Sequence, residues 1–399
     1  MEDDAPPTLP DLSGTTILQI IPELNAGGAE RTAVDIAAAV VAAGGRALIA
    51  SEGGRLGPEA EAAGAECVDF PAATKNPARM LANATRLASL VRERNVALIH
   101  ARSRAPAWSA LIAARRTGLP LVTTYHGAYR RGGALKNLYN SVMARGDAVI
   151  ANSRFVADMI AERHAFADRI DVVYRGTDLS AFDPAHITPE RIERLRARWA
   201  VAPDRRIVLL AARLTGWKGQ TILIDAAAKL AAAGLDDVDF VLAGDAQGRE
   251  SYRQGLIDRM LRAGLGHRVR LVDHCEDMPA AFALADVVTA PSTDAEAFGR
   301  SAVEAQALGK PVVVSDLGAA PETVLAPPDT PAEIRTGWRV PAGDPDALAR
   351  GLAEALALTP EARQALAERA RQHVQRRFSL EAMTSATLAI YNRLTLDAG

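Results

Sequence analysis

From Thr15 onward, short β-branched runs alternate with Ala-rich stretches that repeat apolar residues at helical spacing, and this rhythm occurs twice along the chain. The first series reads TILQII, ALIAS, ALIHA, LVTTYH, AVIANS and IDVVYR, with amphipathic stretches such as NPARMLANATRLASLVRERN between the runs. Strands separated by single helices are the pattern of a parallel sheet with crossover connections. The second series, IVLLAARL, DFVLAGD, RVRLVDH, VVTAPS and PVVVSD, repeats the pattern. The expected fold class is therefore α/β, with two doubly wound, Rossmann-like domains.

Boundaries follow from where the rhythm breaks. Residues 1–14 are acidic and Pro-rich and read as a disordered lead-in. Residues 15–183 form the first domain. Residues 184–205 carry Pro184, Pro189 and Pro203 around one polar helix and read as a linker. Residues 206–377 form the second domain, and 378–399 a last helix whose apolar stripe is expected to pack back on the first. Two such sheets in series expect ligands at the carboxyl ends of their strands, in a cleft between the domains.

Composition narrows the class. A chain of 399 residues is comfortable for two domains. Its charged content of 24% and net charge of −2 give no global pull toward nucleic acid. No apolar run approaches the roughly 20 residues of a spanning helix. Cys67 and Cys275 are the only cysteines, and their spacing suggests neither a disulfide framework nor a zinc site. With no signal-peptide pattern at the start, a reduced, cytoplasmic setting is expected. Charge is nonetheless uneven: between Lys75 and Arg154, twelve Arg and two Lys face Glu93 and Asp147 alone. One reading is a helix surface solvated by Arg. The other is a basic face for anionic lipid at the inner side of the cytoplasmic membrane, or for a phosphorylated acceptor.

Four motifs carry candidate chemistry. In ELNAGGAER, Gly27 and Gly28 follow a strand and open a helix, so backbone N–H groups can approach a ligand closely. In AARLTGWKGQ, Arg213 at a strand end and Lys218 at a helix start make a candidate cradle for a diphosphate, supplying the charge that other enzymes draw from magnesium. In EAFGRSAVEAQALGKPVVVSD, Glu296 is expected at the mouth of a helix opened by Phe298 and Gly299, with Glu304 about two turns inside. Such carboxylates accept hydrogen bonds from sugar and ribose hydroxyls. In LVTTYHGAY, His126 ends a strand, where it can meet a sugar hydroxyl or the reacting centre. His100 is similarly placed and stays unassigned.

Together these residues resemble the family-4 retaining glycosyltransferases of the GT-B fold, also called glycosyl transferases group 1. The resemblance runs through GGAE, YHG, ANSRFVAD, VVYRGTDLSAF, ARLTGWKG and EAFGRSAVEAQALGKPVV, nearly the whole chain. It implies transfer of a hexose-type sugar from a UDP- or GDP-sugar to a glycan or lipid-linked acceptor, in cell-envelope polysaccharide or lipopolysaccharide synthesis. No metal or cofactor is implied. By that resemblance Gly28 lies near the donor's hexose or phosphate, and His126 contacts the transferred sugar. Arg213 and Lys218 hold the diphosphate, Glu296 the sugar hydroxyls and Glu304 the ribose. The leaving phosphate oxygen deprotonates the acceptor on the same face. One departure stands out: the family's usual PNGVD is YRGTD here, which puts Arg175 where Asn is common and makes it, with Arg130 and Arg131, a candidate acceptor or anion contact.

Three alternatives stay open on sequence alone. Asp237 and Asp239 formally match the Asp-x-Asp of a metal-dependent transferase, although they read as a solvated turn. A non-hydrolysing nucleotide-sugar epimerase shares the architecture. A catalytically silent, membrane-associated binding subunit would keep the fold without the chemistry.

Overall fold

The computed structural model describes residues 9–25, 27–127, 132–165 and 169–396. Its elements divide into two compact units, Met1–Gly176 with Leu380–Gly399, and Thr177–Ser379. The first unit runs β1 (Thr16–Ile20), α1 (Gly28–Ala42), β2 (Arg46–Ser51), α2 (Gly57–Ala62), β3 (Glu66–Asp69), α3 (Pro77–Glu93), β4 (Val96–Ala101), α4 (Arg104–Thr117), β5 (Leu121–Tyr125), α5 (Ala134–Ser141), β6 (Ala148–Ala151), α6 (Arg154–Arg163) and β7 (Ile170–Val172). The second runs α7 (Pro189–Arg198), β8 (Arg206–Ala211), α8 (Gln220–Ala232), β9 (Val238–Ala243), α9 (Glu250–Arg262), β10 (Val269–Val272), α10 (Met278–Leu284), β11 (Val287–Ala290), α11 (Arg300–Ala307), β12 (Val312–Ser315), α12 (Ala320–Thr323), β13 (Trp338–Val340), α13 (Pro345–Leu356) and α14 (Pro360–Phe378). The last helix, α15 (Leu380–Leu396), returns to the first unit and packs on α1 and β4.

Both sheets are parallel and doubly wound, in the orders β3-β2-β1-β4-β5-β6-β7 and β10-β9-β8-β11-β12-β13. Their strands are apolar on successive residues because both faces are covered. In β8, Val208 and Leu210 join one core cluster while Ile207 and Leu209 join the cluster on the opposite face. Helix starts use local chemistry: Asn76 accepts N–H bonds from Ala78 and Arg79 ahead of α3, and Asp344 does the same for Asp346 and Ala347 ahead of α13. A proline follows each cap, where its missing N–H costs nothing.

The Pro-rich segment 184–205 is more than a linker. Its helix α7 packs on α10, Leu195 and Trp199 enter the core of the second unit, and Arg191 bridges to Asp277 at 2.7 Å. The polar look of the segment reflects one exposed face, and the boundary between units falls earlier, after Gly176. Among the described residues no helix is long and apolar enough to cross a membrane.

Candidate functional site

Strand order reverses between β1 and β4 in the first sheet and between β8 and β11 in the second. At such a reversal the two flanking crossovers leave toward opposite faces, which opens a crevice at the strands' carboxyl ends. The sequence motifs gather at these two places.

In the second unit, the loops after β8 and β11 are tied together. The Thr293 N–H donates to the Trp217 carbonyl at 2.8 Å. Gly219, at φ 75°, lies so close to the Pro291 carbonyl that an added Cβ would stand 1.8 Å from its oxygen. This contact brings Lys218 to Glu296: Nζ and Oε1 are 2.9 Å apart, and the Ser292 hydroxyl donates to the same oxygen. The ammonium also lies 4.4 Å from the Trp217 ring centroid. Glu296 is further fixed through its main chain, since Ala319 donates to its carbonyl at 3.0 Å and Gly318, at φ 62°, leaves room for its backbone. A cavity of about 320 Å³ adjoins it, lined by Ser292, Glu296, Phe298, Gly299 and Ser315 among others.

Glu296 stands ahead of α11, which begins at Arg300 with Gly299 at φ 84° before it, and its carboxylate is engaged by Lys218 and Ser292. Glu304 stands about one turn into α11, buried and paired with Arg300 at 2.7 Å. Arg213 is exposed at the end of β8, while its carbonyl accepts from the Gln220 side chain at 3.0 Å. Arg213, Lys218 and Glu304 are not among the residues lining the cavity.

In the first unit, Gly27 precedes α1 in extended geometry and Gly28 is its first residue. Arg175 occupies the space that a side chain at Gly28 would need: an added Cβ would fall 1.4 Å from Nη2. His126, Arg175, His100 and Arg102 line one cavity of about 350 Å³ with Thr32, Asn152 and others. Burial holds the His126 and His100 imidazoles well below their usual range, and the charge of Arg102 pushes the same way in both. Both rings are therefore neutral near pH 7. His100 is spanned by Tyr391 of α15 at Nδ1, 2.5 Å, and by Thr124 at Nε2, 2.7 Å. His126 Nε2 is buried and has no hydrogen-bond partner among the described residues.

Arg102 is the residue that sequence reasoning missed. It is 2% exposed, and its Nε donates to Gln19 at 2.5 Å. Its position two residues beyond His100, at the carboxyl end of β4, was the available signal. Arg130 and Arg131 lie outside the described residues. Of the basic stretch 75–154, Arg94 pairs with Glu66, Arg115 with Asp147 at 3.0 Å, and Arg86 lies over the Phe70 ring, so part of that charge serves the fold.

Of the Asp-x-Asp, Asp237 lies in the exposed bend before β9, but Asp239 does not. Asp239 is 1% exposed within β9 and held by Arg205 at 2.7 Å and Arg270 at 2.8 Å, while Asp237 pairs with Arg206. Among the described residues no group of three or more His, Cys, Asp and Glu is placed to hold a metal ion.

Comparison with known proteins agrees with this arrangement. The family model described as Glycosyltransferase Family 4 matches residues 26–181, and that of Glycosyl transferases group 1 matches 191–373. A D-inositol 3-phosphate glycosyltransferase from Jonesia denitrificans is 30% identical over 311 residues, 72% of this chain and 69% of that relative. A glycosyltransferase structure from Rickettsia africae superposes with a TM-score of 0.85 at 31% identity, covering 95% of this chain and 98% of its own. Anabaena Alr3699/HepE, solved in complex with UDP and glucose, superposes at 0.79 with 26% identity over 95% of this chain and all of its own. Strand order, motif placement and these relatives agree: the chain belongs to the family-4, group 1 glycosyltransferases of the GT-B fold.

Proposed function

We propose that the second unit binds a nucleotide-sugar donor, UDP- or GDP-linked, and that transfer proceeds without a metal ion and with retention of configuration. The observation that carries this reading is the Lys218–Glu296 pair at the strand-order reversal, between Gly219 and Gly299, each at positive φ ahead of a helix. A departing nucleoside diphosphate develops negative charge, and a fixed ammonium beside open N–H groups can stabilise it. Lys218 would hold the diphosphate with Arg213. Glu296 would accept from hydroxyls of the transferred sugar, beside Phe298, and Glu304 from the ribose. His126, neutral and with Nε2 without a partner among the described residues, would contact the transferred sugar, and Gly27 and Gly28 would lie near the donor. The UDP and glucose bound by the Anabaena protein make UDP the first base to try.

The acceptor would be a phosphorylated polyol. The substrate in the relative's name, D-inositol 3-phosphate, supports that class, and it replaces lipopolysaccharide as the first acceptor to test. Peripheral contact with anionic lipid would use α5, where Leu135 and Leu138 are exposed beside Lys136. Sedimentation with anionic vesicles tests that contact.

The donor site is tested by thermal shift with UDP, GDP, ADP and CMP, with and without EDTA. A ligand at 100 times its Kd adds roughly 2.7 kcal/mol. A shift by one diphosphate that survives EDTA and is lost in Lys218→Ala and Glu304→Ala is expected. A response that needs a divalent metal, or none at all, would overturn the reading.

A further inference from the structure

The cavity at the first reversal is chemically one-sided. Arg102 and Arg175 both line it, and no aspartate or glutamate does. Three polar atoms buried there have no hydrogen-bond partner among the described residues: Arg102 Nη2, His126 Nε2 and Asn152 Oδ1. Arg102 and Asn152 are 2% and 6% exposed. A buried guanidinium left short of an acceptor is costly, and native structures keep such groups where a ligand completes them. The threonine hydroxyls nearby do not fill the gap, since Thr32 donates to the Gly28 carbonyl and Thr124 meets His100.

Two further features show the cavity to be built rather than left over. Arg102 is held in place by Gln19 of β1 through Nε, and its neighbour in the cavity, His100, by the Tyr391 hydroxyl of α15. Gln19 is itself anchored, donating to the Ala33 carbonyl at 2.9 Å. On the other side, the absent side chain of Gly28 is what lets the Arg175 guanidinium lie against the first turn of α1. Two forks of N–H donors at a helix start match a tetrahedral oxyanion, which accepts several bonds at once.

We propose that Arg102 and Arg175 form a subsite for a phosphate monoester, and that the phosphate is the acceptor's. Tyr391 is a positioning residue for the cluster, acting through His100. The chemistry of the subsite is that of any phosphate-type anion, so the donor's diphosphate and free inorganic phosphate are the competing sources. The proposal rests on the acceptor class given above, and names the residues that would recognise it.

The test is calorimetric titration of the full chain with inorganic phosphate, myo-inositol 3-phosphate, unphosphorylated inositol and UDP, for wild type, Arg102→Gln, Gly28→Ala and Tyr391→Phe. Expected are binding of the two phosphates but not of inositol, a loss of at least about tenfold in Arg102→Gln, and UDP binding within about twofold of wild type. Gly28→Ala, which displaces only the far end of the Arg175 side chain, should lose phosphate binding as well. It keeps the test decisive if Arg102→Gln does not fold. In turnover, Tyr391→Phe should raise the KM for the phosphorylated acceptor several-fold and leave the KM for the donor and kcat nearly unchanged. Phosphate binding unchanged in the folded variants, or inositol binding as well as its phosphate, would overturn the subsite. Parallel loss of UDP and phosphate would assign the anion to the donor and overturn the acceptor reading. Binding needs no turnover, so Arg102-dependent phosphate binding without sugar transfer would preserve the subsite while removing the donor reading.

Discussion

At the reversal of the first sheet, two guanidiniums and two neutral imidazoles line a cavity that lacks an acid, whereas at the reversal of the second, Lys218 is already matched by Glu296. The strand order is the same in both units except that the first sheet adds β7 at its edge. What differs is how each neutralises its buried charge. The second unit does so internally, with the loops after β8 and β11 locked by a backbone contact at Gly219. The first leaves Arg102 Nη2 without an acceptor among the described residues and ties its cavity neighbour His100 to a helix from the far end of the chain. Similar scaffolds thus present a self-contained ion pair in one place and, in the other, a buried guanidinium whose Nη2 has no hydrogen-bond partner among the described residues. The first suits a site where charge develops during reaction, and the second suits a site that waits for a charged substrate.

Substitutions can sharpen or break this contrast. The largest effect is expected for Lys218→Ala: turnover should fall about a hundredfold or more, as for loss of a fixed group that stabilises developing charge. Steady-state assays with saturating acceptor would read it, and a loss under about fivefold would remove the ion pair from the chemistry.

Next comes the contrast between two glycines. Gly219→Ala forces a side chain into a positive φ and against the Pro291 carbonyl, so it should destabilise by about 3 kcal/mol. Gly28→Ala meets only the movable end of Arg175 and should cost under about 1 kcal/mol. Denaturant unfolding of the two variants compares them directly; equal costs would mean that the two loops are not built differently.

Acid should then separate the buried imidazoles from ordinary ones. His100 and His126 titrate below the unfolded value near 6.5, so from that pH downward the unfolded chain takes up protons that the folded chain refuses. Stability is full above pH 6.5 and falls as pH drops, by up to about 1.4 kcal/mol per pH unit for each histidine. His373 in the second unit adds to the loss over the window from 6.5 to about 4, because burial and Arg377 lower it. Melting curves from pH 7 to 5 should have a shallower slope in His100→Gln, and an unchanged slope would contradict the buried, neutral assignment.

Smallest of all is Arg300→Ala. The guanidinium is largely exposed, so its pair with Glu304 is worth roughly 0.3–0.5 kcal/mol. Melting should barely move, while UDP affinity reports whether Glu304 is reached without Arg300.

The expectations drawn from sequence failed where burial is partial or contacts are distant. Strands β3 and β13 escaped notice because neither carries an apolar run: β3 is a half-exposed Glu-Cys-Val-Asp and β13 a three-residue Trp-Arg-Val. Asp239 read as part of a turn because nothing local reveals Arg205 and Arg270 closing over it. Segment 184–205 read as a linker because its buried face is only a few residues wide.

By itself the sequence determined the two parallel sheets, since runs apolar on both faces can be satisfied only under two helical layers, and the glycine and proline punctuation that starts the helices. It also determined the family, because GGAE, ARLTGWKG and the Glu296–Glu304 element are contiguous in the chain. The tertiary structure alone decided that Glu296 is matched to Lys218, and that Arg102 is buried. The physical reason is range. Gln19 lies 83 residues before Arg102, and Tyr391 lies 291 residues after His100, so the contacts that hold this cluster exist only once β1, β4 and α15 have packed.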